Sequence, residues 1–466
     1  MSGQVAERTQ TIGGHIIGTR GEGRGLLSGF AGAVHLPGDA GYDEKRQALY
    51  PGMDPRPALV AEAAGAGDVR AAVLAARERG LPFAVQATGH GTRVSPDGGL
   101  LLKTSGMSSV LVDPCRRIAR VGPGAVWADV LAAAAPFGLA PLSGSAPGVG
   151  VTGYTLGGGL GWLSRAYGFA ADNVLRAQVV LADGREVTAA PDRHPDLFWA
   201  LRGGGGNFGV VTGLEFRLHP VSRVYAGAVH FPIERAPEIL QAYRRWAAAV
   251  PSELSSALLL TRAGDGPDVP EALRGRRVVT LKVMYAGDAE RAERLLRPLR
   301  AAAGTPLADD LRTVEYAQAR MGGTPARHFD MYEDLTGPVL DALARDAANP
   351  ASSVATVEIR HWGGAMADPA PEAGPVGHRS ASFSIIVDAP DTDLAGELRP
   401  HGLGVSFLNF LADPGKVATA YTGEDLRRLA DVKRAYDPDN VFSVNLNIAP
   451  ASGRARHGRS EGSVRR

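Results

Sequence analysis

One cysteine, Cys115, stands in 466 residues, which excludes an internal disulfide. It lies in VDPCRR, a turn-like setting, and reads as a bystander. Neither sign of charge dominates: Lys plus Arg total 50 and Asp plus Glu 49, a formal net charge of +1. No bulk field therefore favours nucleic acid, and the basic residues do not interleave with aromatics as a strand-binding face requires. No run of 18 apolar residues exists, so no membrane span is expected. The first 25 residues lack the continuous apolar core of a signal peptide and lack a twin Arg. They read as a flexible leader on a cytoplasmic protein. No metal is expected. The hydrophobic fraction of 44% and charged fraction of 21% are close to globular averages, and the length allows two or three domains.

What the chain has in excess is glycine, 60 residues of it. The densest stretch runs from Gly144 to Gly168, GSAPGVGVTGYTLGGGLGWLSRAYG. Glycine at this density costs backbone entropy, and its return is close backbone approach and access to positive φ. Val149, Val151, Tyr154, Leu156, Leu160, Trp162, Leu163 and Tyr167 are interspersed, which a flexible linker would lack. Two readings stay open: an ordered loop wrapping a flat or elongated ligand, or a tight set of purely structural turns.

Before this stretch, the sequence reads as a strand start near Ala58 and a helix to Gly80. Gly67 and Asp68 cap that helix, and Val69, Ala72, Val73 and Ala76 form its stripe. Phe83 to Val85 is a buried strand running into the turn ATGHGT. Leu100–Leu102 and Ile118–Val121 are further strands, and 125–135 is helical. Beyond the stretch, Val174–Leu181 and Glu186–Thr188 form a hairpin. Asp196–Arg202 is a short helix, and Val210–Leu218 a strand. Two segments match G-x-G-x-x-G: Gly148, Gly150 and Gly153, and Gly204, Gly206 and Gly209. Neither has the strand–turn–helix context of a dinucleotide site. The first lacks a preceding strand and has more glycines where a helix should begin. The second follows a helix and enters a strand.

Four motifs in order resemble the flavin-linked oxidases of the berberine bridge enzyme type, within the vanillyl-alcohol oxidase superfamily. They are VQATGHGT, APGVGVTGYTLGGGLGWLSRAYGFAADNV, DLFWALRGGGGNFGVVT and YDPDNVFSVNLNI, spread between about Arg56 and Pro450. The resemblance implies an α+β protein: a two-part PCMH-type FAD-binding domain over 26–220 and a substrate domain over 221–415. A C-terminal return to the FAD domain would cover 416–450, with a disordered tail over 451–466 and the leader over 1–25. The substrate domain would be an antiparallel sheet covered by helices. The pattern agrees: Val224–Phe231, Arg277–Met284, Ser353–His361 and Ser380–Val387 alternate like strands. Between them Glu234–Val250, Glu290–Ala303 and Tyr332–Asp346 read as helices.

The resemblance also implies a site. The turn Gln86, Ala87, Thr88, Gly89, His90, Gly91 and Thr92 would present backbone N–H groups to a pyrophosphate. The family arginine before this turn is Gln86 here. His90 stands where relatives attach FAD covalently, and the second family attachment point, a cysteine, is Ala146. Any covalent bond would thus be single and through His90. Gly148, Val149, Gly150, Gly153, Tyr154, Gly157, Gly158 and Gly161 would lie along the flavin ring and its ribityl chain. Gly206, Gly209, Val210 and Val211 would approach the adenine and flavin edge, and Asn445 and Asn447 would close the site.

The chemistry is where the sequence departs from the family. Relatives that oxidise alcohols or sugars place a tyrosine base in Y-x-N-Y; here the text is Phe407, Leu408, Asn409 and Phe410. A helper tyrosine in G-G-G-Y-G is Leu160. Phenyl and isobutyl groups accept no proton. Replacement candidates are Glu358, Arg360 and His361 in VEIRHWGGAM, Glu358 and His361 foremost, with Tyr154 or Tyr421 as further options. Alternation sets Glu358 and Arg360 on one face and His361 on the other. The plain alternative is a cross-strand Glu358–Arg360 ion pair on a solvated face. The expected function is an FAD-dependent oxidase of a small organic molecule, in secondary-metabolite tailoring, with hydride passing to flavin N5 and O2 as acceptor. The missing phenols point to an acidic polyketide-like or phenolic substrate. The alternative is a flavoprotein with a non-redox isomerase or cyclase role. Nothing in the pattern speaks to oligomeric state.

Overall fold

The computed structural model describes residues 27–452 except 51, 268, 325–326 and 390–391, together with residue 25 and the strand pair Gln10–Ile12 and His15–Ile17. Of the expected leader over 1–25 and tail over 451–466, only 10–12, 15–17, 25, 451 and 452 are among the described residues.

The first sheet has strands β1 (Ala33–His35), β2 (Leu59–Glu62), β3 (Phe83–Gln86) and β4 (Leu100–Lys103), in the order β1-β2-β4-β3. The last three are parallel and β1 is antiparallel. Helix α1 (Ala66–Arg79) crosses between β2 and β3 and buries Val69, Ala72, Val73 and Ala76 on the sheet. Its cap is an extended Gly65, two residues before the expected Gly67. Asp68 sits inside its first turn, accepting from the Ala64 and Ala31 amides at 2.8 and 2.6 Å. Gly80 ends the helix in the left-handed region at φ 61°.

A second, antiparallel sheet follows: β5 (Val110–Asp113), β6 (Ile118–Val121), β7 (Val174–Val180), β8 (Glu186–Ala189) and β9 (Val210–Arg217), ordered β8-β7-β9-β6-β5. Helices α2 (Trp127–Ala134), α3 (Val151–Leu156), α4 (Ser164–Tyr167) and α5 (Pro195–Leu201) fill its connections.

The third sheet is wholly antiparallel. Its strands are β10 (Arg223–Pro232), β11 (Leu254–Arg262), β12 (Arg277–Tyr285), β13 (Ala308–Asp309), β14 (Arg312–Glu315), β15 (His328–Tyr332), β16 (Thr356–His361) and β17 (Phe383–Val387). They run β13-β10-β12-β11-β16-β17-β15, with β14 beside β10. One face packs Val229, Leu258, Leu281, Val357 and Ile385 under helices α6 (Ala236–Ala247), α7 (Ala289–Ala303) and α8 (Gly337–Ala348). The other face meets the first half of the chain: Ala257, Leu259 and Met284 share a cluster with Leu142, Trp162 and Leu163. This sheet is therefore covered on both sides.

Two expectations shift. Tyr332 ends strand β15, and the helix expected to start there begins at Gly337. The chain re-enters the core of the second sheet at Leu408, ahead of residue 416, and completes it with Leu429 and Val432 of helix α9 (Gly423–Tyr436).

Candidate active site

Strand β3 ends at Gln86, and the chain turns sharply because Gly89 adopts φ 85°. A Cβ on Gly89 would stand 2.5 Å from Gln86 Nε2, so the Gln86 side chain is tucked beneath the turn. The glycine stretch comes up against this turn: a Cβ on Gly150 would lie 3.3 Å from Thr88 Oγ1 and 3.7 Å from Ala87 Cβ. Gly150 is held there by a bridge to Val126 and by the Val151 amide donating to Ala125 O at 2.9 Å. On the open side, Cβ atoms built on Gly91, Gly148, Gly153 and Gly206 would meet nothing within 4 Å.

His90 is half-buried, with Nδ1 2.9 Å from Thr88 Oγ1. Burial holds its imidazole pKa below the ordinary value, so the ring is neutral at pH 7. Tyr50 Oη donates to His90 O at 2.8 Å. Asn445 clamps the turn from the C-terminal return, donating to Gly91 O at 2.9 Å and accepting from the Arg93 amide at 2.6 Å. Arg93 Nε in turn donates to Leu411 O at 3.0 Å. Asn447 Oδ1 and Thr152 Oγ1 are buried without a hydrogen-bond partner among the described residues. Buried polar atoms left unpaired are costly and call for a partner. A polar, elongated cofactor would supply one, and the donor-rich turn suits a pyrophosphate. The residues fit FAD.

Not every glycine of the stretch serves that open side. A Cβ on Gly157 would meet Asn409 Nδ2 at 2.7 Å, one on Gly158 would meet the Phe407 ring at 2.9 Å, and one on Gly161 would meet Ser143 O at 2.3 Å. Tyr154 fills the space left by Gly159 and Gly144, its ring 2.5 and 2.9 Å from their built Cβ atoms. The reading as structural turns thus describes this part of the stretch. The stretch is also more helical than its letters imply: α3 begins directly after Gly150, where no helix was expected. Thr155 Oγ1 back-bonds to Val151 O at 2.7 Å, and Val149 packs into the second core. Ala146 is exposed and offers only a methyl group.

In the third motif, Gly206 alone faces open space among the residues expected to approach the adenine. Gly209 is pressed against Val179, and Val210 and Val211 send their side chains into two hydrophobic cores. Asn207, passed over in the sequence, locks this turn to the return. It donates to Gly204 O and Leu446 O at 2.9 and 3.0 Å and accepts from the Ile448 amide at 2.8 Å. Lys433, fully buried, ties the same two segments. Its Nζ reaches Asn207 O, Asp437 Oδ2 and Phe442 O at 2.8, 2.6 and 3.0 Å.

On the third sheet, Glu358 and Arg360 share the face turned toward the glycine stretch. They do form an ion pair, through Arg360 Nε and Nη2 to Glu358 Oε1 at 2.9 and 2.6 Å. It runs along one strand rather than across two, and Glu358 is 1% and Arg360 7% exposed, because the first half of the chain covers this face. Burial pushes the Glu358 carboxyl up, but Arg360, Thr324 and Lys282 outweigh it and hold the pKa below the ordinary value. The Arg360 guanidinium lies 4.4 Å from the Trp162 ring.

His361 points to the opposite, helix-covered face. It stacks on Phe383 at 5.5 Å and stands 2.9 Å from Nη1 of Arg165. Burial, then Arg165, press its pKa down to about 3. Its Nε2 is thus occupied by Arg165 of the glycine stretch, and so low a pKa makes the ring a weak base at neutral pH. The phenols of Tyr154 and Tyr421 are pushed up by burial and stay protonated. Tyr421 donates to Gly203 O at 3.1 Å, while Tyr154 Oη has no partner among the described residues. Phe407, stacked on Phe169 at 5.4 Å, and Phe410, 5.3 Å from Phe329, belong to an apolar cluster with Leu160 and Trp362.

Residues 57–190 match the family described as FAD binding domain, and residues 398–449 the one described as berberine and berberine like. The chain is 31% identical to (R)-6-hydroxynicotine oxidase of Paenarthrobacter nicotinovorans, over 90% of this chain and 97% of that one. The crystal structure of 6-hydroxy-D-nicotine oxidase from Arthrobacter nicotinovorans superposes with a TM-score of 0.74 at 28% identity, covering 91% of this chain and 98% of that one. Physcomitrella patens BBE-like 1 shares the fold, with a TM-score of 0.79 at 22% identity and 92% and 99% coverage. An FAD-type cradle, two matched family segments and a full-length relative make one conclusion: this chain belongs to the FAD-linked oxidoreductases of the berberine bridge enzyme-like family.

Proposed function

We propose that the protein oxidises a small organic molecule with FAD held between the 86–92 turn and the 144–161 stretch, and with O2 as the final acceptor. The observation that carries this is the meeting of the 86–92 turn with the glycine stretch at Gly150, together with open space at Gly91, Gly148, Gly153 and Gly206 and buried Asn447 and Thr152 oxygens that have no partner among the described residues. Bound there, FAD supplies a two-electron acceptor for the substrate. The amides of 87–91 would hold its pyrophosphate, and Asn445 would keep that turn in shape. His90, neutral and beside Thr88, has the free ring nitrogen that a single covalent attachment needs. Ala146 rules out a thioether at the second family position. The FAD-binding part would comprise 26–220 together with the return, and the substrate part most of 221–415.

The proton side of the reaction is left to the substrate. Glu358 is too strongly paired to be a good base, since a base works best with a pKa near the operating pH. Its role is to position Arg360. The phenylalanine cluster excludes water without accepting a proton. The substrate would therefore be oxidised at a position already made acidic by its own chemistry, as in a phenolic or polyketide-like product of secondary metabolism. The oxidase and oxidoreductase names of the relatives favour this over the isomerase alternative. A visible spectrum of the purified protein, followed by acid precipitation, tests the reading. A yellow protein whose colour stays with the precipitate is expected; a colourless protein contradicts it.

A further inference from the structure

We infer that the site takes a substrate bearing an anionic group, a carboxylate or an ionised phenol or enol, anchored between Lys282 and Arg360. The inference rests on the flavin reading above and adds the chemical class of the ligand. Lys282 of β12 and Arg360 of β16 lie in one cross-strand row with only Ala257 of β11 between them. Two strand spacings separate their backbones by about 10 Å. Ala257 places only a methyl group between the two long side chains.

This row lies on the face toward the glycine stretch, since Ala257 packs with Trp162 and Leu163 and Arg360 stacks on Trp162. Lys282 Nζ has one acceptor among the described residues, Met321 O at 2.7 Å, for three N–H donors. Arg360 commits Nε and Nη2 to one oxygen of Glu358, and no described residue accepts from its Nη1. Two cations thus face one carboxylate on a covered surface, an excess of one positive charge.

The other titratable neighbours do not cancel it. His230, one row away, is bonded to Thr280 at 2.9 Å and kept neutral by burial. Asp310 is exposed at the sheet edge, and Asp309 there is paired with Arg300 at 2.5 Å. Tyr154, within electrostatic reach of Arg360, adds a buried O–H donor with no partner among the described residues. Burial depresses the Lys282 pKa, and an arriving anion would reverse that penalty through charge-assisted hydrogen bonds. A cationic amine would be repelled, and a neutral sugar would leave the charge uncompensated.

The test is titration of the holoprotein's visible flavin band with benzoate and 1-naphthoate against benzamide and 1-naphthamide. The acids should bind about tenfold or more tightly than their amides. Lys282→Met should abolish that preference while keeping the flavin band, and Lys282→Arg should retain most of it. Lys282→Gln is made alongside, in case the methionine variant folds poorly. Equal binding of acid and amide, binding of neither, or an unchanged preference in the Lys282 variants overturns the inference. A colourless protein overturns the flavin reading and this inference with it; a yellow protein with no preference overturns this inference alone.

Discussion

Asn409 and Tyr154, 255 positions apart, are joined by a hydrogen bond of 3.0 Å from the Asn409 Nδ2 to the Tyr154 carbonyl. The Asn409 Oδ1 accepts from the Gly159 amide at 2.9 Å. One side chain from the returning segment therefore fixes the exit of α3 and the three-glycine turn after it. Asn409→Ala would leave the Gly159 amide and the Tyr154 carbonyl unpaired in a part-buried place. The loss should be about 1–3 kcal/mol, read as a lower Tm in thermal unfolding of the holoprotein. A Tm equal to that of the parent contradicts the bridging role.

Two buried histidines make the fold sensitive to acid. Burial presses His361 to about 3 and His219 to about 4. Below the unfolded value of about 6.5, the unfolded chain binds protons that the native chain refuses, so stability falls as pH falls. The loss continues down to the two folded values, at up to about 1.4 kcal/mol per pH unit for each group. Glu358 adds to it below about 4.3, as pH drops through its lowered folded pKa. Urea unfolding at pH 7, 6 and 5 should show this slope. His361→Gln, which keeps an acceptor for Arg165, should reduce it. A flat profile across that range contradicts the buried, neutral histidines.

The alternating strands of the third sheet were legible because one face packs on helices and carries apolar residues at every second place. Strand β11 was not, since Ser255, Ser256, Ala257, Leu258 and Leu259 are all buried and LSSALLL has no alternation to read. Lys282 was invisible for a related reason. In VVTLKVMY a lysine on the less apolar face looks like solvated surface, and only the packing of the first half of the chain against it makes it interior. The glycine stretch was legible as ordered structure where local motifs set the backbone, as at Gly150. It was read less well at Gly157, Gly158 and Gly161. There the missing side chain makes room for Asn409, Phe407 and Ser143, partners that no local pattern reveals. Helix α3 formed despite Gly153 and its β-branched residues, because Ala125 and the α2 entry hold its start.

The absence of a phenol in the aromatic cluster has a kinetic consequence. A general base contributes typically about 10²–10⁴ in rate, so a plain sugar alcohol should reduce the flavin slowly. Phe410→Tyr, with its half-buried ring between Phe329 and Phe407, should raise that rate if a sugar is admitted. Stopped-flow reduction under anaerobic conditions measures both. Brisk reduction of the parent protein by glucose contradicts the assignment and returns Glu358 to the role of base.

His90→Ala should release all FAD on acid precipitation, with the flavin still bound before acid because the amides of 87–91 and the clamp of Asn445 remain. The supernatant absorbance after precipitation measures this. Full release from the parent protein as well would contradict attachment at His90.

The most direct measurement is the mass of the proteolytic peptide containing His90, taken from the holoprotein. The account predicts that this peptide carries the mass of FAD, with its adenylate half removable by phosphodiesterase. A peptide of unmodified mass, or one carrying FMN, would contradict the assignment of the 86–92 turn to an FAD pyrophosphate and of His90 to its attachment.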